Sequence, residues 1–146
     1  MKPLLALLAV VLAVACSDPF APTVQRVAGA YRAVTFTATD SPGTTDWMPS
    51  TRLDIRLFSN GRTDGLLWMI GGGEGGTDIQ ELMTGTWSLN GDTVRFSQTA
   101  DTFVRDIAFL ARATRSDDIQ MYDRLEGDQT FAGVRIRILL KRQTSP

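Results

Sequence analysis

From Gly29 onward, apolar and polar residues alternate in short runs separated by turn residues. Alternation with a period of two places successive side chains on opposite faces of a strand, so the pattern predicts an all-β domain. Eight strands are expected: Gly29–Ala38, Thr51–Phe58, Thr63–Ile70, Ile79–Leu89, Thr93–Gln98, Thr102–Ala113, Ile119–Arg124 and Thr130–Lys141. The second is the cleanest, with Leu53, Ile55 and Leu57 alternating with Arg52, Asp54 and Arg56. Ser59-Asn60-Gly61 and Asn90-Gly91-Asp92 supply tight hairpin turns, because Asn and Gly accept positive φ at low cost.

Two stretches read both ways. Phe103, Val104, Ile107, Leu110 and Ala111 also sit at helical spacing behind Asp101, although Phe103, Ile107, Phe109 and Ala111 fit a strand. In the first strand, an inward Tyr31 carries Ala33, Thr35 and Thr37 inward and leaves Val34 and Phe36 outside. Hydrophobicity prefers the reverse, and a β-bulge would reconcile the two.

A sheet of eight hairpin-linked strands exposes two edges unless it closes. The expected architecture is therefore an eight-stranded up-and-down antiparallel barrel, with a two-sheet β-sandwich as the alternative. In a meander the tight second and fourth connections share one end. The long first and third, Thr39–Ser50 and Gly71–Asp78, share the other. The barrel is thus expected to have a closed end that carries both termini and an open, loop-rimmed end. Eight strands enclose an interior that just holds packed side chains or one small ligand.

The N-terminus breaks the alternation. Lys2 precedes an apolar run from Leu4 to Val14 that ends at Ala15-Cys16, the three-part pattern of a secretory signal. The run is too short for a membrane span, which needs about 20 residues. Ala13-Val14-Ala15-Cys16 behind Leu12 resembles the lipobox of bacterial lipoproteins. That resemblance implies cleavage before Cys16, lipidation of Cys16 and, with Ser17 next, sorting to the outer membrane. Residues 1–15 are then the signal, 16–27 a lipidated tether and 28–146 the barrel domain. Cys16 is the only cysteine, so the chain forms no internal disulfide.

Gly29-Ala30-Tyr31 opening the first strand, with Lys141-Arg142 closing the last, resembles the lipocalin pattern, as does Gly85-Thr86-Trp87-Ser88-Leu89 before its Asn-Gly turn. The lipocalin resemblance implies an aromatic side chain and a late arginine stacked at the closed end.

The remaining chemistry is sparse. The 146 residues include no histidine, which removes triad, Cys-His and HExxH chemistry. Fifteen basic against sixteen acidic residues offer no footprint for nucleic acid. Gly71, Gly73 and Gly76 spell GxGxxG, but the next stretch reads as strand, so a flexible loop is expected rather than a dinucleotide site. The acidic groups Asp117-Asp118 and Asp123, Glu126, Asp128 lack EF-hand spacing. No enzymatic activity, cofactor or metal is therefore expected. Trp47-Met48 stands out as an aromatic–thioether pair in the longest polar connection, fit to close either a lid or the barrel's own rim. The expected function is carriage of a small apolar or amphipathic ligand beneath Trp47 and Met48. Leu53, Ile55, Leu57, Val94, Phe96 and Met121 are expected to line the cavity. The alternative is a packed barrel acting as a structural or protein-interaction module of the envelope, which an exposed apolar patch around Trp68 would favour.

Overall fold

The computed structural model describes residues 20–100, 102–114 and 121–144. The expected signal segment, Cys16 and Asp117-Asp118 lie outside the described residues. A single turn of helix, α1 (Val24–Val27), leads into ten strands: β1 (Gly29–Asp40), β2 (Gly43–Asp46), β3 (Thr51–Leu57), β4 (Arg62–Met69), β5 (Ile79–Leu82), β6 (Gly85–Asn90), β7 (Thr93–Gln98), β8 (Phe109–Thr114), β9 (Met121–Phe131) and β10 (Val134–Arg142). Eight of them close a ring in the order β1-β3-β4-β6-β7-β8-β9-β10, sealed by antiparallel pairing of β10 with β1. The fold is an all-β, up-and-down, closed antiparallel barrel. β2 and β5 are additions to that ring. β2 hairpins back on the distal part of β1, and β5 pairs only with β4.

β5 and β6 share one register against β4 and are a single long strand interrupted at Met83-Thr84. The expected strand Ile79–Leu89 is therefore present but broken. The ambiguous segment Thr102–Ala113 divides. Phe103–Asp106 forms one 3-10 turn, and β8 begins at Phe109. The helical spacing holds for one turn only, and alternation governs β8.

β1 contains the bulge. Ala33 pairs with Leu140 and Thr35 with Leu139, so Val34 is the extra residue. Tyr31 and Ala33 face inward before it, Phe36 and Ala38 after it, and Val34 is exposed. One inserted residue lets both aromatic side chains enter the core. β9 uses the same device. Arg112 pairs with Arg124 and Ala113 with Tyr122, leaving Asp123 unpaired in the ladder. The Asp123 carboxylate accepts hydrogen bonds from the Thr114 backbone N–H at 2.9 Å and from its hydroxyl at 2.5 Å, which pins the bulge. The phase flip turns Tyr122 inward and Met121 outward, at 49% exposure. The expectation that Met121 lines the interior is thereby overturned.

Inside, one apolar cluster fills the barrel. Leu53, Ile55, Leu57, Leu67, Phe109, Leu125, Ile138 and Leu140 are no more than 2% exposed. Gly127 belongs to this packing, because a Cβ there would lie 2.7 Å from both Ile107 and Phe109 side-chain atoms.

At the closed end, Val27 of α1 is fully buried and caps the core. The Arg142 guanidinium lies over the Tyr31 ring at 5.5 Å, as the lipocalin resemblance implies. It donates to the carbonyls of Arg26 at 2.6 Å and Ala28 at 2.8 Å, satisfying the end of the helical turn. Gly29 makes room for it, since a Cβ would sit 3.0 Å from Arg142 Cζ. The Tyr31 hydroxyl donates to the Val27 carbonyl at 2.6 Å. Burial pushes the Tyr31 phenol above its ordinary pKa, against the opposing pull of Arg142. Trp87 Nε1 donates to the Phe58 carbonyl at 2.8 Å beneath the Ser59-Asn60-Gly61 turn.

Candidate functional site

Three regions carry the residues singled out by the sequence: the barrel interior, its open mouth and the outer wall beside β4 and β5.

The interior is a filled core. Leu53, Ile55, Leu57, Val94 and Phe96 do point inward as expected, yet each is at most 5% exposed. A void large enough to admit water would leave their facing atoms accessible, so these five side chains pack against one another and their neighbours.

The mouth is closed by side chains from loops. The chain leaves β2 at Asp46, whose carboxylate accepts from the Met48 N–H at 2.9 Å. The Trp47 N–H then donates to the Phe36 carbonyl at 2.8 Å, and Met48–Ser50 form a 3-10 turn. The Trp47 ring lies 5.5 Å from Phe36, Phe36 lies 5.8 Å from Phe103, and Phe103 lies 6.4 Å from Phe131. Trp47 and Met48 are partly buried against the core. These aromatic contacts tie β1, the turn before β3, the turn before β8 and the end of β9 together as a plug at the open end.

The strand ends at the mouth carry a polar feature that hydrophobic patterning does not single out. Thr51, Gln98 and Thr102 are 5–7% exposed, and the Thr51 hydroxyl, both Gln98 amide atoms and the Thr102 hydroxyl have no hydrogen-bond partner among the described residues. Strand phase does carry a signal for two of them. Thr51 continues the inward series Leu53, Ile55, Leu57, and Gln98 continues Val94, Phe96.

The outer wall carries the apolar residues that the interior rejects. Of the pair Trp68-Met69, Met69 turns into the core and Trp68 turns out, at 40% exposure. Leu66 pairs directly with Leu82, and Trp68 with Gln80. Leu82 is 62% exposed, and Ile70 just beyond β4 is exposed as well. Leu66, Trp68, Ile70 and Leu82 thus form an apolar patch at the open half of the wall. The described part of the tether does not cover it. Phe20 is held at the other end, where its carbonyl accepts from the Tyr122 hydroxyl at 2.7 Å.

Other candidate chemistry is absorbed by structure. The loop at residues 71–76 contains one 3-10 turn with Gly75 at φ 70° and leads into β5, with no helix to complete a dinucleotide site. Glu126 lies within 3.9 Å of Arg112 and Arg124, and Asp128 is bound by Arg135 and Arg137. The Arg135 hydrogen bond holds the Asp128 carboxyl below the usual carboxylate range. A depression of about 730 Å³ lies outside the barrel, where Thr35, Thr37 and Thr39 meet Arg135 and Arg137. No family model matches this chain, and a search of curated proteins finds no match either.

Proposed function

We propose that this protein is a non-catalytic lipoprotein of the bacterial envelope, held at the outer membrane through Cys16 and facing the periplasm. Its packed barrel presents the Leu66–Trp68–Ile70–Leu82 wall to a protein partner. The observation that carries the reading is the pairing of a filled interior with this exposed apolar patch. Tryptophan is among the side chains that dominate binding energy at protein interfaces, and apolar neighbours such as Leu66, Ile70 and Leu82 help exclude water around it. With both termini at the closed end, a short lipidated tether sets that end toward the membrane and leaves the wall near the mouth free.

Two experiments test the parts separately. Cys16→Ser is expected to abolish acylation and to leave a soluble form or an uncleaved precursor. Normal maturation and unchanged membrane partition of that variant would remove the lipid anchor from the account. For the wall, a photo-crosslinking residue at position 82 is expected to yield a discrete adduct in cells, which Trp68→Ser weakens. The same probe at position 137, on the outer face of β10, is the control. Equal labelling at both positions would contradict the interaction reading.

A second reading, carriage of a small apolar or amphipathic ligand, draws on the unpaired polar atoms of Thr51, Gln98 and Thr102 at the mouth. It requires Trp47 and Met48 to lift. A blue shift of Trp47 fluorescence on titration with apolar probes, absent in Trp47→Phe, supports it. An unchanged spectrum counts against it.

A further inference from the structure

The wall patch ends at a strand edge whose chemistry is legible. The Met83 N–H donates to the Gly65 carbonyl at 3.0 Å, which makes Met83–Gly65 a hydrogen-bonded pair of the antiparallel ladder. Hydrogen-bonded and non-hydrogen-bonded pairs alternate in such a ladder. Leu67–Glu81 and Met69–Ile79 are then hydrogen-bonded pairs, while Leu66–Leu82 and Trp68–Gln80 are not. Gln80 and Leu82 therefore aim their backbone N–H and C=O groups away from β4. Along β6 that side is taken by β7, and the Thr99 N–H still donates to the Thr84 carbonyl at 3.1 Å. The next described element after β7 is the 3-10 turn Phe103–Asp106, and among the described residues β5 pairs with no strand but β4. Among the described residues, the edge-facing groups of Gln80 and Leu82 thus have no strand partner, and Leu66, Trp68 and Leu82 lie on the outer face beside them.

Glu81 stands between them. It shares a face with Leu67, on the inner side of the sheet, and is half-buried there. Among the described residues it has no ion-pair partner. Inward-pointing charge on a short edge is a recognised guard against edge-to-edge pairing. Here it also discriminates between occupants. Two copies of this chain can pair β5 with β5 across a two-fold axis normal to the sheet. The register that uses both Gln80 and Leu82 then sets Glu81 opposite its own symmetry mate. Like charges directly opposite destabilise a strand pair, and opposite charges stabilise it.

We propose that β5 receives an extended segment of another protein as an added strand. The segment carries a lysine or arginine opposite Glu81 and apolar residues on either side of it, one beside Leu82 and one beside Gln80, on the face that continues across β4 to Leu66 and Trp68. Main-chain hydrogen bonds to Gln80 and Leu82 supply the pairing, and the alternate side chains supply selectivity. The proposal rests on the interaction reading of the wall and specifies its mode. The chain's own tether is a poor occupant, because it reaches the described residues at the closed end, at Phe20, whereas β5 lies at the open half.

The test uses the full-length protein in detergent with two synthetic peptides of alternating threonine and valine. One has a central lysine between valines, and the other has glutamate in its place. The lysine peptide is expected to bind about tenfold more tightly than the glutamate peptide at low salt. Glu81→Lys is expected to invert that preference. Gln80→Pro deletes an edge N–H that the β4 ladder does not use. It should abolish binding of the lysine peptide while the melting temperature stays near wild type. If neither peptide binds, if both bind alike, or if Gln80→Pro binds unchanged, the added-strand proposal falls. A persisting crosslink at position 82 would still leave the interaction reading standing. Self-association through β5 in the wild type, abolished by Gln80→Pro, would make a second copy the occupant and overturn the proposal too.

Discussion

The two ends of the barrel solve the same problem with different materials. At the closed end, tight turns and a helical turn meet a charged side chain, and most polar groups find partners inside the chain. Arg142 covers Tyr31 and reaches two carbonyls, Tyr31 reaches a third, and Arg142 Nε is left without a partner. At the open end the strands splay. β2 leaves the ring, β5 is paired on one side only, and β7 and β8 share only two residue pairs. Loops fill the gap with aromatic rings and leave four polar atoms of Thr51, Gln98 and Thr102 unpaired. Each buried group without a hydrogen bond costs about 1–3 kcal/mol. The contrast teaches that the closed end holds this fold together. The open end is where stability has been given up, and binding surfaces are drawn from such regions.

Substitutions break that contrast in a graded way. Tyr31→Ala is expected to cost about 4 kcal/mol, the scale for removing a large buried aromatic side chain, with a matching fall in the denaturant midpoint. Arg142→Ala should cost about 2 kcal/mol. It removes the ring stacking and strands the carbonyls of Arg26 and Ala28. The combined Trp47→Ala, Met48→Ala variant should cost only about 1–2 kcal/mol, because both side chains are partly exposed already. A larger loss there than at Arg142 would erase the distinction between the ends.

How much of this is legible in the sequence depends on whether alternation runs unbroken. In β3 and β10 it does, and the inward sets Leu53, Ile55, Leu57 and Ile136, Ile138, Leu140 can be read directly. In β1 and β9 a single inserted residue, Val34 or Asp123, reverses the phase. A bulge leaves no composition signal of its own, which is why alternation alone puts Met121 on the wrong face. The segment around Phe103 carries two periods at once because it is two structures in succession. For the interior site residues of β3 and β7, direction is legible. Whether they line a space or fill one depends on summed side-chain volume across eight strands, which a linear pattern does not encode. The outer patch is half legible, since adjacent Trp68 and Met69 cannot both point inward.

Two smaller effects sharpen the comparison. Gln98→Leu should raise stability by about 1 kcal/mol, since it replaces an unpaired buried amide with an apolar group of similar size. A drop in its thermal midpoint would mean the amide is satisfied. On the outer wall of β3, burial works to raise the Asp54 pKa, but hydrogen bonds from Arg32 and Arg52 outweigh it and hold the carboxyl below its usual value. A depressed folded-state pKa contributes stability above the unfolded value that is lost as pH falls through the folded one. Asp54→Asn should therefore lower the denaturant midpoint slightly at neutral pH. The difference should vanish in acid below the normal aspartate range, and one that persists there would assign the effect to packing.

The central claim is that this barrel is filled and acts through its wall. Native mass spectrometry of the protein taken from the cells that make it addresses it most directly. The account predicts an acylated chain free of any stoichiometric small molecule, together with a non-covalent protein complex that Trp68→Ser dissociates. A stoichiometric small-molecule adduct that is released on unfolding, with no dependence on Trp68, would contradict it.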